Sequence, residues 1–272
     1  MPTLNMTTCL AVNTVAFMQA LPDYLQMELG LAAAFMPERA GWADHIAQVG
    51  AGHIQMAWLC GWPYVRMRDA HVDEQRSGDL EIVAAPVLQA PRYAGQPLYF
   101  ADVVVSAAAA YDTMASLRGA AWAYNDPGSL SGWLSVTHFL ASELNVAQGD
   151  PARFFGRIVE SGGHAHSLNL LLRGQIDCAA IDSTLLDYLR QTEPMLDAQI
   201  RVLHTLGPFP IPPLVIHRRV DAAVRQRIRT VLLQMHQAPA GRRVLGAAAL
   251  SHFVAGADAD YDPVRRMSAR VG

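Results

Sequence analysis

The sequence predicts an α/β protein built on mostly parallel sheets flanked by helices, and three observations lead there. Apolar runs and segments with helical period alternate along most of the 272 residues, which is the pattern βαβ units leave. That length is enough for two lobes of about 100–150 residues, each with its own core. Four prolines fall within residues 208–213. Proline donates no ladder hydrogen bond, so such a run fits a stiff crossing between lobes better than a sheet interior.

Taken in order, residues 7–12 read as a first strand and 15–29 as a helix, with Pro22 near its start or interrupting it. A short strand at 32–35 and a helix at 42–49 follow, then a strand at 53–59 that ends in the loop Cys60-Gly61-Trp62-Pro63-Tyr64. Further strands are expected at 81–88, 98–105, 120–124, 157–160, 177–181, 200–206 and 214–217, with helices at 131–144, 166–173 and 183–190. Residues 220–237 are amphipathic: Val224, Ile228, Val231, Leu232 and Met235 share one helical face, and Arg225, Arg227 and Arg229 fall mostly on the others. Pro239-Ala240-Gly241 ends that helix, 241–250 reads as another short one, and the tail from Ala257 is polar.

Composition closes several function classes. Apolar residues make up 51% of the chain and charged residues 17%, an ordinary globular balance. A net charge of −3, with no basic run longer than two arginines, argues against a nucleic-acid partner. All 21 basic residues are arginine, and the lack of lysine excludes Schiff-base chemistry, a pyridoxal-phosphate anchor and a Walker-type phosphate loop. Cys9, Cys60 and Cys178 are widely spaced and suggest neither a disulfide framework nor a zinc ribbon. No apolar run approaches the ~18 residues that span a bilayer, so no membrane insertion is expected. The first residues, MPTLNM, lack the positive region and apolar core of a secretory leader, and a cytoplasmic location is the expectation.

Ligands of open α/β sheets settle beyond the carboxyl ends of strands, so the loops there carry the functional reading. In residues 125–132, Asn-Asp-Pro-Gly stops a strand and Ser-Leu-Ser-Gly starts a helix. A helix start carries roughly +0.5 of an elementary charge and unpaired N–H donors, a ready seat for an anion. Ser129 and Ser131 add hydroxyls there, although either serine alone reads equally as an N-cap. Asn125, Leu130 and Gly132 lie in the same turn. Three other loops contribute Trp62 and Tyr64, then His164 within Ser161-Gly162-Gly163-His164, then Asp182 at the head of another helix. Aromatic walls, hydroxyls, an imidazole and a carboxylate together suit a small polar molecule with an anionic or hydrogen-bonding head. The plainer alternatives are packing aromatics for Trp62 and Tyr64, a carbonyl partner for His164 and an N-cap role for Asp182. His164-x-His166 has the spacing of a metal pair without a third ligand, so no metal and no cofactor are expected. Gly128-Ser129-Leu130-Ser131-Gly132 has the context of a nucleophile elbow, yet Leu130 stands where serine is required. His164 as a base for Ser131 lacks a third group to orient it.

Residues 117–133, LRGAAWAYNDPGSLSGW, resemble the corresponding segment of phosphonate-binding-like solute-binding proteins of ABC importers. Residues 57–65, 159–167 continuing to 174–183, and 206–213 match that family in the same order. The resemblance implies a two-lobed periplasmic-binding-protein type II fold with two hinge crossovers. Lobe 1 would hold residues 1–103 plus 205–272 and lobe 2 residues 104–204, with the ligand cleft between them. It implies that Ser129, Ser131 and the Gly132 backbone seat an oxyanion, completed by His164, Tyr64 and Asp182. Leu130 stands where the family has threonine, and Trp62 and Trp133 add aromatic surface, which favours a larger organic ligand. The function expected is non-catalytic capture of a small anionic or zwitterionic molecule by a monomer, for an ABC permease or a sensor protein. A cytoplasmic enzyme on the same fold, of the menaquinone- or thiamin-precursor type, is the alternative.

Overall fold

The computed structural model describes residues 3–37, 42–70 and 79–271. In chain order the strands and helices are β1 (Leu4–Thr8), α1 (Val15–Leu29), β2 (Ala33–Phe35), α2 (Trp42–Gly50), β3 (Met56–Trp58), α3 (Gly61–Ala70) and β4 (Leu80–Leu88). Next come β5 (Leu98–Ser106), β6 (Ala121–Tyr124), α4 (Ser135–Ser142), β7 (Arg157–Glu160), α5 (His164–Leu172), β8 (Cys178–Asp182), α6 (Ser183–Thr192), α7 (Leu196–Gln199) and β9 (Ile200–Pro210). The chain closes with β10 (Leu214–His217), α8 (Ala222–Gln234), α9 (Pro239–Gly246), β11 (Leu250–Val254) and α10 (Asp262–Val271).

Two units divide the chain: unit 1 is Met1–Leu98 with Pro210–Asp262, and unit 2 is Tyr99–Phe209 with Pro263–Gly272. The chain therefore passes from one unit to the other three times, where two crossovers and boundaries near 103 and 205 were expected. The difference lies in α10. Its charges disguise an apolar face on which Val264 and Met267, three residues apart, are buried. A Cβ at Gly149 in unit 2 would come within 2.8 Å of Val271 Cγ1, which places the end of α10 against that unit.

Unit 1 holds a six-stranded sheet in the order β11-β4-β10-β3-β1-β2. β1 runs parallel to β2 and β3, whereas β10 is antiparallel to β3 and β4, and β11 to β4. Phe17 of α1 packs its ring on Trp58 and Phe253, with centroids 5.5 and 5.7 Å away. α1 runs unbroken through the buried Pro22. The stretch expected as a loop, residues 60–64, is mostly helix: α3 begins at Gly61. Pro63 falls in its first turn, where an N–H has no intrahelical acceptor to lose.

Unit 2 holds a five-stranded sheet in the order β7-β6-β8-β5-β9. β6 is parallel to both of its neighbours, and β5 pairs antiparallel with β8. Both sheets are thus mixed rather than mostly parallel, because strands such as β10 and β5 enter without a helical crossover to turn them round. β9 carries Pro208 and Pro210 within the strand, which is tolerated because it lies at the sheet edge. Trp122 of β6 is buried and stacks on Phe155 and Trp133 at 4.9 and 5.5 Å. The carboxylate of Asp177 accepts the Ala121 N–H at 2.7 Å and fixes where β6 begins.

Candidate oxyanion seat at the carboxyl edge of unit 2

Three adjacent parallel strands, β7, β6 and β8, end along one edge of the unit 2 sheet, and each leads into a helix start. After β6, Asp126 Oδ1 accepts the Gly128 N–H at 2.8 Å, closing the Asp-Pro-Gly turn. Ser129 is the N-cap: its Oγ accepts the Gly132 N–H at 2.9 Å. The helix opens with one π-helical turn, Leu130–Leu134, in which the Leu134 N–H reaches the Ser129 carbonyl at 3.0 Å, and then continues as α4. Ser135 supports that wide turn by donating its hydroxyl to the Ser131 carbonyl at 2.7 Å.

After β7, Ser161 Oγ bonds the Tyr124 carbonyl at 3.0 Å and Ser167 Oγ at 2.7 Å, tying the head of α5 to the end of β6. Gly163 precedes α5 and supplies no side-chain cap. His164, the first residue of α5, is buried and shares a hydrogen bond of 3.1 Å between its Nε2 and Ser131 Oγ. After β8, Asp182 caps α6, its Oδ1 accepting the Thr184 N–H at 2.7 Å.

The structure thus brings Ser129, Ser131, Gly132 and His164 into direct contact. Asn125 joins them: a Cβ on Gly132 would lie 1.8 Å from Asn125 Oδ1 and 3.1 Å from His164 Cε1. Glycine is required there so that the buried amide and imidazole can close on the helix start. Asn125 Nδ2 donates to Asp126 Oδ2 at 2.5 Å, while Asn125 Oδ1 is buried without a hydrogen-bond partner among the described residues. Leu130 is fully buried, so its side chain packs in the core behind the turn. Trp133 is a packing residue on the aromatic stack of β6, edge-on to Tyr124 at 4.5 Å.

Trp62 and Tyr64 belong to unit 1. Tyr64 donates its hydroxyl to Asp258 at 2.7 Å and sets its ring edge-on to Tyr261, and Trp62 lies under the Arg66 guanidinium. His166 is exposed, with Nδ1 3.2 Å from the Ser161 carbonyl, whereas His164 is buried. Among the described residues, no group of three or more His, Cys, Asp and Glu side chains could hold a metal. Ser135 escaped the sequence reading, and Ser161 and Ser167 stood in it as part of their loop without a role of their own, because supporting hydroxyls in helices and turns carry no distinct pattern.

The charges here are set by burial. Desolvation lowers the His164 pKa to about 4, against a smaller pull from the Ala180 carbonyl, so the imidazole is neutral at pH 7. Desolvation raises the half-buried Asp182 to about 6, opposed by its hydrogen bonds to Thr184 and Leu185 and helped by Asp102. Neither lysine nor arginine is among these residues. Among these residues the positive potential comes from helix starts, most openly from the two not capped by a carboxylate.

Residues 7–261 match the family model described as ABC transporter, phosphonate, periplasmic substrate-binding protein. No curated protein matches the chain in sequence. Among solved structures, a binding-protein component of an ABC phosphonate transporter from Pseudomonas aeruginosa aligns with a TM-score of 0.80 at 20% identity, covering 98% of this chain and 85% of that one. PhnD1 from Prochlorococcus marinus, in complex with methylphosphonate, aligns with a TM-score of 0.82 at 13% identity, covering 99% and 98%. A Xanthomonas citri protein bound to chloride aligns with a TM-score of 0.73 at 19% identity, covering 99% and 97%. At such identities the likeness speaks for the fold, the two-lobed type II periplasmic-binding-protein architecture. The family comprises non-catalytic substrate-binding proteins of ABC transporters, so the enzyme alternative finds no support. The cytoplasmic expectation finds none either, since the family is periplasmic by description; among the described residues no helix is long and apolar enough to cross a membrane. The match runs through nearly the whole chain, and the chain belongs to the family of phosphonate periplasmic substrate-binding proteins of ABC transporters.

Proposed function

We propose that the chain captures a small anionic or zwitterionic molecule, phosphonate-like or a larger organic acid, at the carboxyl edge of β7, β6 and β8. It acts as a monomer on the periplasmic side and delivers that molecule to an ABC permease. The observation that carries this reading is the helix start at Ser129, Ser131 and Gly132, with the Ser131 hydroxyl hydrogen-bonded to a buried, neutral His164. An oxyanion there exchanges water for backbone N–H donors and hydroxyls in a helix dipole's field. Asp182 sets the selectivity. Ionised at neutral pH, it accepts a proton-bearing group and opposes a second negative charge, so a singly charged oxyanion or a zwitterion is preferred over a dianion. The seat proposed uses unit 2 residues alone, with Trp62 and Tyr64 left to unit 1.

The test is a thermal-shift screen of methylphosphonate, phosphate, sulfonates, amino acids and aromatic acids, followed by calorimetric titration of whatever stabilises. A ligand at 100 times its Kd adds about 2.7 kcal/mol of stability. A screen without any stabilising anion or zwitterion contradicts the proposal. So does a stabilisation that survives loss of both the Ser131 hydroxyl and the His164 imidazole.

A further inference from the structure

α4 turns a second face to a different feature of unit 2. Ser135, His138, Phe139 and Ser142, spaced i, i+3, i+4 and i+7, line a groove of about 770 Å³ whose other walls are β9 and α10. That volume is in the range of small-molecule sites, about 300–1,000 Å³. Its floor is aromatic and apolar: the half-buried Phe139 lies 5.1 Å from the His204 ring, beside the buried Phe209 and Met267. Its rim is cationic. Arg266 and Arg270 of α10 are exposed and make no ion pair or hydrogen bond among the described residues. Burial lowers the His138 imidazole pKa, and the nearby Arg270 lowers it further against an opposing pull from Glu143, so this histidine is neutral at pH 7. The single carboxylate of the lining, Glu143, is exposed and is outnumbered there by the two arginines.

We infer that this groove is a second binding site, separate from the oxyanion seat, for an anion carrying a flat aromatic ring. The ring lies against Phe139 and His204, where stacking and apolar burial reward a planar body. The acidic group takes the fork of hydrogen-bond donors that Arg266 and Arg270 leave unused, a geometry matched to carboxylate and phosphate. A neutral ring lacks the second half of this recognition, and a small inorganic anion lacks the first.

Isothermal titration with 2-naphthoate and with adenosine monophosphate tests the inference on the full chain, with 2-naphthylmethanol as the uncharged control. At least one anion is expected to bind, at least tenfold tighter than the control. Arg266→Ala/Arg270→Ala should weaken it at least tenfold and Phe139→Leu severalfold, while Ser131→Ala leaves it unchanged. The arginine substitutions are on exposed side chains, and a melting temperature within about 2 °C of wild type verifies their fold. Preference for naphthoate or for the nucleotide identifies the acidic group as carboxylate or phosphate, and either supports the site. Absence of binding by both anions, equal binding of the control, or loss with Ser131→Ala but not with the arginine pair overturns it.

Discussion

Replacing Gly132 by alanine probes the helix start at its tightest point. The added methyl falls 1.8 Å from Asn125 Oδ1 and 3.1 Å from His164 Cε1. Both neighbours are buried, and Asn125 is anchored through its bond to Asp126. Either Asn125 rotates and loses that bond, at about 1 kcal/mol, or the turn shifts under an overpacking cost of about 1–3 kcal/mol. Alanine's higher helix propensity returns up to ~1 kcal/mol, leaving a net loss of roughly 0–3 kcal/mol. For a chain of this size that lowers the melting temperature by up to roughly 12 °C. Differential scanning calorimetry of Gly132→Ala, Asn125→Ala and the double variant checks the cause as well as the size. Once the amide is removed the methyl fits, so the pair should couple by about 1–3 kcal/mol. A double variant whose losses simply add refutes the geometry described.

Ser131→Ala should abolish stabilisation by the ligand while costing the ligand-free protein only about 1 kcal/mol, since one hydrogen bond to His164 is lost; paired thermal scans with and without ligand check it. Leu130→Thr, which restores the residue usual in the resembling family, should destabilise by about 2 kcal/mol and fail to tighten anion binding, because that side chain is fully buried; denaturant melts and titration report the two effects. His164 and Asp182 oppose each other in acid. The native pKa of His164 is lowered to about 4, so its contribution to stability is present above 6.5 and lost as pH falls through about 4. The native pKa of Asp182 is raised to about 6, so its contribution is present below 3.8 and lost as pH rises through about 6. Asp182→Asn should therefore gain stability steadily from pH 4 to 6.5, and His164→Gln should lose it from pH 4 to 6, with the wild type flatter than either. Denaturant melts across that range measure the slopes, and parallel slopes in all three proteins contradict the assignment.

Elements with a strong local signal were legible in the sequence. α1 ends at Leu29 as read, because Gly30 takes the left-handed conformation at φ 63° and stops the helix. The strand-turn-helix at residues 121–134 was legible because Asp-Pro-Gly closes a turn and serine caps a helix by local chemistry. Non-local compensation hid the rest. Pro63 looked like a breaker but fell where a helix tolerates it. α10 looked like a polar tail because its few apolar residues are set among arginines and find their partners elsewhere in unit 2. The short β11 lacks the alternation that marks a strand and forms by pairing with β4, more than 150 residues earlier. In the candidate site each residue was nameable, but the Ser131–His164 bond, 33 residues apart, and the closure of Asn125 on Gly132 depend on strand order. Burial, invisible to composition, decides that His164 is neutral and that Leu130 faces the core.

The most direct measurement of the central claim is amide and imidazole nitrogen NMR during titration with the oxyanion that stabilises the protein best. The account expects the largest shifts at the Leu130, Ser131 and Gly132 N–H groups and at the ring nitrogens of His164, saturating together at one Kd. Saturable binding that leaves those signals in place, with the shifts confined to other residues, contradicts it.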